Sequence, residues 1–145
     1  MNAMEISRTG LDVEWRRLEI IAQNIANANT TRTDSGGPYR PLQLLSGPRT
    51  NFAAYLHGGH GGAPAGAPGG VMVYGVRASD AAPRRVYDPS HPHADADGYV
   101  SYPALDHAGE MTRMVETSRV YEANLVAMNI ARQMYSRAIE LGRRS

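Results

Sequence analysis

Residues 114–139, MVETSRVYEANLVAMNIARQMYSRAI, place Met114, Ser118, Tyr121, Leu125, Met128, Arg132, Tyr135 and Ile139 at alternating intervals of four and three. That spacing keeps one stripe on one side of an α-helix, the seam that a helical partner covers. Val115, Val126, Ala127, Ala131 and Ala138 widen it. Charges at Glu110–Arg113, Glu116–Arg119 and Arg137–Glu140 stand three apart, close enough to pair along the helix. The pattern predicts a helix from Glu110 to Leu141, roughly 48 Å long at about 1.5 Å per residue. Gly142 is its stop, with Arg137, Arg143 and Arg144 suited to the negative end of the dipole.

A second seam lies at the other end of the chain. Leu11, Trp15, Leu18, Ala22 and Ile25 repeat the four–three spacing, Ile21 broadens it, and Met4 falls one heptad earlier. Ser7, Thr9 and Gly10 weaken the first turns, and the run from Ala26 to Thr30 frays because Asn and Thr compete for local backbone bonds. All nine Pro, and twelve of the fifteen Gly, lie between Ser35 and Pro103. The chain therefore reads as helix, irregular middle, helix.

Within the middle, Val71–Tyr74 is apolar on both sides and reads as a buried strand. Arg84–Tyr87 and Gly98–Tyr102 are half-buried strands, and Asn51–Leu56 is a weaker one, giving a small antiparallel sheet. His57–Gly70 holds seven Gly and two Pro, and reads as a mobile loop whose ordering its composition cannot offset. The fold class is mainly α: terminal helices forming a coiled-coil domain around a β-rich, loop-rich middle domain. The expected parts are residues 1–33, 34–104 with the Gly-rich tract 57–70, and 105–145.

Composition removes much chemistry. Of the 145 residues 42% are apolar and 20% charged, with a net charge of +1, which excludes a strongly basic nucleic-acid binder and a wholly disordered chain. Cys is absent, which excludes disulfides, thiolate metal sites and cysteine nucleophiles. All fifteen basic residues are Arg, so no lysine amine is available. No Gly-x-Ser-x-Gly, His-Glu-x-x-His, phosphate-loop or dinucleotide motif occurs. The expectation is no catalytic residue, no metal and no cofactor.

Histidines test that expectation. His93-x-Asp95-x-Asp97-Gly98 resembles the start of a calcium loop, but the position of the final bidentate acid is Ala104. An Asx-type turn into the following strand is the simpler reading. His57 and His60 fall in the glycine tract without supporting residues. A metal-dependent hydrolase using His57, His60, His91, His93 and Asp95 or Asp97 is the enzymatic alternative, and a helical adaptor or chaperone is another. Glu5, Arg8, Asp12 and Glu14 leave no apolar core for a cleaved signal peptide, and no run approaches the roughly 20 apolar residues that cross a bilayer. The plain reading is cytoplasmic, although chains exported by a dedicated secretion machine also lack such signals.

Asn24, Asn27 and Asn29 close the first helix, and Asn124 and Asn129 flank the second seam. Either they cap and face water, or buried members fix register by amide pairing.

The run Ile20–Thr30, ending Asn-Ile-Ala-Asn-Ala-Asn-Thr, resembles the N-terminal signature of flagellar rod and hook axial proteins. Thr31-Arg32-Thr33, Gly36–Arg40, Val86–Asp95 leading to Asp97–Val100, and Ser118-Arg119-Val120-Tyr121-Glu122-Ala123-Asn124 extend the resemblance in order, toward the proximal-rod branch. The expanded tract His57–Gly70 departs from the family pattern. The resemblance implies a structural subunit of the basal-body rod, outside the cytoplasm in the periplasmic space, exported by the flagellar type III apparatus. Its terminal helices would line a torque-transmitting tube around the export channel. It further implies copies of itself and the rod proteins FlgB, FlgF, FlgG and FliE as partners, with no nucleic acid and no membrane insertion. The alternatives are another rod-family subunit or an export adaptor. The interface then falls on Leu11, Trp15, Leu18, Ala22, Asn24, Ile25, Asn27 and Asn29, and on Met114, Ser118, Tyr121, Asn124, Leu125, Met128, Tyr135 and Ile139. Free of partners, Met1–Thr33 and Leu105–Ser145 are expected to be largely disordered.

Overall fold

The computed structural model describes residues 3–49 and 69–143. Its elements, in chain order, are helix α1 (Ala3–Ala26), strands β1 (Leu42–Pro48), β2 (Val71–Ala78), β3 (Arg84–Tyr87) and β4 (Tyr99–Tyr102), and helix α2 (His107–Gly142). The two long terminal helices with small antiparallel strand pairs between them are the architecture expected from the sequence. Among the described residues no helix is long and apolar enough to cross a membrane.

α1 starts earlier than its weak first turns suggest, and Gly10 is absorbed within it. α2 begins after Asp106, a favoured N-cap residue, whose carbonyl accepts the Glu110 N–H at 2.9 Å. At the other end of α1, Asn27 turns its amide back to the Gln23 carbonyl at 2.9 Å, and Thr30 bonds to Asn27 in turn. The Asn-rich run is thus a C-terminal cap that satisfies carbonyls left open by the helix.

Four strands form two pairs, β1 with β2 and β3 with β4. β1 has little strand signal of its own, since Leu-Gln-Leu-Leu-Ser-Gly-Pro lacks β-branched residues and contains both Gly and Pro. β2 carries the expected Val71–Tyr74 strand four residues further, to Ala78, but it is not buried: Val71 and Val73 are half-buried, and Met72 and Tyr74 are exposed. The weaker strand at Asn51–Leu56, His57, His60 and the glycine tract lie outside the described residues, Gly69 and Gly70 excepted.

β3 and β4 pair antiparallel, Arg84 opposite Tyr102 and Tyr87 opposite Tyr99. Val86 and Val100 share the inner face, and Val100 is fully buried. Gly98 precedes β4 at φ 80°, a left-handed conformation, and a Cβ there would sit 3.0 Å from the Tyr87 ring. Only glycine adopts that backbone without strain.

The chain divides into two compact units. One draws on Met1–Arg16, Ser46–Tyr74 and Ser118–Ser145, the other on Arg17–Leu45 and Gly75–Thr117. In the first, the Val71 N–H donates to the Thr9 hydroxyl at 3.1 Å, and the Tyr74 hydroxyl donates to the Pro48 carbonyl at 2.7 Å. In the second, Arg40 donates to the Ser79 carbonyl and pairs with Asp80 at 2.7 Å.

Candidate assembly surface

The most fully determined side chain in the second unit is Asn24, in the last turn of α1 and 2% exposed. The turn at Thr33–Gly37 reverses the chain after α1, with Thr33 N–H donating to Gly37 at 2.8 Å and Tyr39 N–H to Thr30 at 3.0 Å. That reversal brings Tyr39 and Leu42 back to the helix end. Asn24 Oδ1 accepts the Leu42 N–H at 2.8 Å and the Tyr39 hydroxyl at 2.9 Å. Its Nδ2 donates to the Leu42 carbonyl at 2.9 Å and to Glu110 Oε2 at 3.3 Å. All four bonding positions of the amide are filled, so burying it carries no desolvation penalty left open.

Glu110 is itself buried, and Arg113 one turn later pairs with its other oxygen at 2.6 Å. Burial first, and the Glu110 carboxylate second, push the Tyr39 hydroxyl above its ordinary pKa. Asn24 thus joins the end of α1, the start of β1 and the first turn of α2.

In the first unit the helices meet differently. Gly10 lies against Asn124, so closely that a Cβ on Gly10 would fall 2.9 Å from Asn124 Oδ1. Asn124 directs its Nδ2 to the Val120 carbonyl at 3.0 Å. Five residues on, Trp15 stands 6.2 Å from the Tyr121 ring. Residue number rises along α1 as it falls along α2, so the helices run antiparallel here.

These contacts set the rotation of both helices. The buried residues of α1 are Val13, Ile21 and Asn24, not the Leu11–Trp15–Leu18–Ala22–Ile25 stripe as such. On α2 the buried or half-buried residues are Gly109, Glu110, Met114, Thr117, Ser118, Tyr121, Asn124, Met128 and Ala131. Glu110, Thr117 and Asn124 recur every seven residues, so the side of α2 turned to its own chain is substantially polar.

The sixteen residues expected at an interface divide accordingly. Asn24 is consumed inside the chain, Asn27 by its cap, and Asn29 is exposed. Leu11, Leu18, Ile25, Met114, Ser118, Tyr121, Asn124 and Met128 are half-buried, and Ala22 is exposed. Trp15 is 57% exposed, Leu125 40%, Tyr135 61% and Ile139 49%. Trp15 beside Tyr121 puts the outward edges of both helices on one flank. Val126, Ile130 and Met134, four residues apart on another side of α2, are also exposed, and of these the apolar pattern in the sequence marks only Val126. A helix apolar on several sides is one that neighbours bury.

The β3–β4 turn offers different chemistry. Asp95 accepts the N–H groups of Asp97 and Tyr99 at 3.0 and 2.8 Å and pairs with Arg85, which also stacks 4.7 Å over Tyr99. The Tyr99 N–H first, with Arg85 and Asp97 adding, holds the Asp95 carboxyl below the usual carboxylate range. Asp88 is lowered in the same direction, chiefly by the Ser90 hydroxyl, which donates at 2.7 Å. This is the Asx-type turn that the spacing indicates.

His91 Nδ1 accepts the His93 N–H at 3.0 Å, which leaves the proton of the neutral ring on Nε2. His93 Nδ1 bonds to the Thr31 hydroxyl at 2.8 Å. The His91 ring therefore presents no ligand lone pair without breaking its bond from the His93 N–H. Among the described residues no three His, Asp or Glu come together to hold a metal ion.

Residues 4–32 match the family of flagella basal body rod proteins, and residues 96–141 match the C-terminal family of flagellar basal body rod FlgEFG proteins. Over its whole length the chain is similar to proteins named flagellar basal-body rod protein FlgC. It is 35% identical to that of Salmonella typhimurium, covering 98% of this chain and 97% of the relative. Identity is 33% with that of Bacillus subtilis, over 98% and 97%. It is 32% with that of Borreliella burgdorferi, over 97% and 95%. The matched segments contain α1 with its Asn-rich cap and nearly all of α2, and the chain belongs to the FlgC family of flagellar basal-body rod proteins.

Proposed function

We propose that this chain, a structural rod subunit of the flagellar basal body, polymerises through its terminal helices into the proximal rod. Residues 1–33 and 105–145 form the helical tube and residues 34–104 face outward. The observation that supports this best is the exposed apolar surface of α2, where Leu125, Val126, Ile130, Met134, Tyr135 and Ile139 lie open on several sides of one helix. In a tube of subunits those residues are covered by neighbours, and many shallow seams in parallel resist the shear of rotation. Subunits related by a rotation that does not close make such a tube.

Its partners are copies of itself, the rod proteins FlgB, FlgF, FlgG and FliE, and the flagellar type III export apparatus that delivers it to the periplasmic space. The chain acts as a building element, with no catalytic step.

Complementation of a strain lacking its own proximal-rod subunit tests this. The unaltered chain restores swimming and is found in isolated basal bodies. Leu125→Asp and Ile25→Asp are exported and fail to restore swimming. Normal swimming with either variant counts against the helical packing.

A further inference from the structure

Residues 88–98 join β3 to β4, and three of their side chains accept from the backbone two positions further on. Asp88 Oδ1 accepts the Ser90 N–H at 3.2 Å, His91 Nδ1 the His93 N–H at 3.0 Å, and Asp95 Oδ1 the Asp97 N–H at 3.0 Å. Asp and Asn are the usual acceptors in such turns. At residue 91 a neutral imidazole takes that place. Carboxylates go on accepting at neutral and mildly acid pH, whereas imidazole is the side chain that ordinarily gains a proton between about pH 8 and pH 5.

The two histidines answer a proton differently. His93 Nδ1 lies 2.8 Å from the Thr31 hydroxyl, which can donate to the ring or accept from it, so that contact survives protonation of His93. The His93 backbone N–H can only donate. A proton on His91 Nδ1 sets two donors against each other at 3.0 Å, and one of them has to leave. Pro92 between them has no N–H to take over the turn.

We propose that His91 is a pH-operated latch: neutral, it holds His93 against Thr31; protonated, it releases His93 and with it the stretch that follows the α1 cap. The latch belongs to the single chain and needs no rod assembly. Asp88, whose carbonyl accepts the His91 N–H at 3.2 Å, attracts the protonated ring. On the other side His91 stands 6.5 Å from the Tyr102 ring, over which Arg84 lies at 5.6 Å, and 5.4 Å from the His93 ring. Arg84 repels a charged His91, as does His93 once it is charged too. The ring therefore turns from His93 and Tyr102 toward Asp88. One bond is exchanged for one attraction, so the turn rearranges while β3 and β4 stay paired. Thr31 and Arg32 come loose, since Thr30 remains bonded to Tyr39 and Thr33 to Gly37.

NMR of the isotope-labelled full chain tests this from about pH 8 to about pH 5. At the upper end the His91 ring is the Nε2–H tautomer, the His93 N–H is protected from solvent exchange, and the His93 ring shows a nuclear Overhauser contact with the Thr31 methyl. As His91 gains its proton, the protection of the His93 N–H, corrected for the intrinsic effect of pH, falls several-fold with the same midpoint, and the contact with Thr31 is lost. His91→Asn supplies an acceptor that does not titrate, and there both features persist through the whole range. The methyl signals of the buried Val100 report that the strands stay folded in each sample. If the variant does not fold, the titration of the unaltered chain decides alone. Full His93 protection after His91 has titrated, an Nδ1–H tautomer at the upper end, or loss of the Thr31 contact in His91→Asn as well each overturn the latch.

Discussion

The side-chain amide of Asn24 pairs with the backbone of Leu42 as one strand pairs with another, accepting its N–H at 2.8 Å and donating to its carbonyl at 2.9 Å. Tyr39 and Glu110 complete the amide's remaining bonds. A helix end, a strand start and a second helix are thereby fixed to one buried group.

Removing that amide strands several buried partners. Asn24→Ala leaves the Leu42 N–H and carbonyl unpaired and is expected to cost about 3 kcal/mol. Tyr39→Phe removes one bond while Leu42 still satisfies Oδ1, and costs about 1 kcal/mol. Asn24→Asp is worse than Tyr39→Phe, because it sets a second carboxylate beside Glu110 and loses both donors. Urea unfolding of the three variants checks the order, and equal midpoints for Asn24→Ala and the unaltered chain contradict it.

Gly10 and Asn124 form a coupled pair. Gly10→Ala gains about 1 kcal/mol of helix propensity but forces the end of Asn124 away from its bond to Val120. Alone it is expected to be nearly neutral. In an Asn124→Ala background the obstruction is gone, and Gly10→Ala stabilises by about 1 kcal/mol. A double-mutant cycle by thermal unfolding measures the difference, and simple additivity refutes the close approach.

The β3–β4 turn is acid-sensitive. Asp88 and Asp95 both ionise more readily in the folded chain than in the unfolded one. A lowered folded pKa stabilises at every pH above the unfolded value, about 3.9. That contribution disappears as pH falls through the lowered folded values. Little change is expected between pH 7 and pH 5, with loss below about pH 4. Asp95→Asn makes the acid-induced fall in melting temperature smaller, and an unchanged fall assigns the acid sensitivity elsewhere.

Gly98 holds the entry to β4 at φ 80°. Gly98→Ala forces a side chain into that conformation and against Tyr87 and Pro89, and is expected to cost about 1–3 kcal/mol. Unfolding by urea checks it, and an unchanged midpoint contradicts it.

Local patterns carried much of this fold. Both helices, β3 and β4 follow from periodicity and turn residues, because those signals act within a few positions of the chain. β1 did not, since its strand character comes from pairing with β2 across the chain and not from Leu-Gln-Leu-Leu. The apolar stripes proved to mark edges that the chain leaves partly open, whereas the contacts inside it use Gly10, Asn24, Glu110, Thr117 and Asn124. Hydrophobic spacing does not detect a seam built from glycine and polar groups. Asn24 stood in a recognisable motif, but its partners Tyr39, Leu42 and Glu110 are distant in sequence, and their convergence depends on the Thr33–Gly37 turn.

Hydrogen exchange on the α2 segment from Arg132 to Gly142, in the purified chain and in isolated rods, tests most directly whether neighbours cover the open helix faces. Rapid exchange in solution and strong protection in the rod are expected. Equal exchange in both states contradicts assembly through these helices.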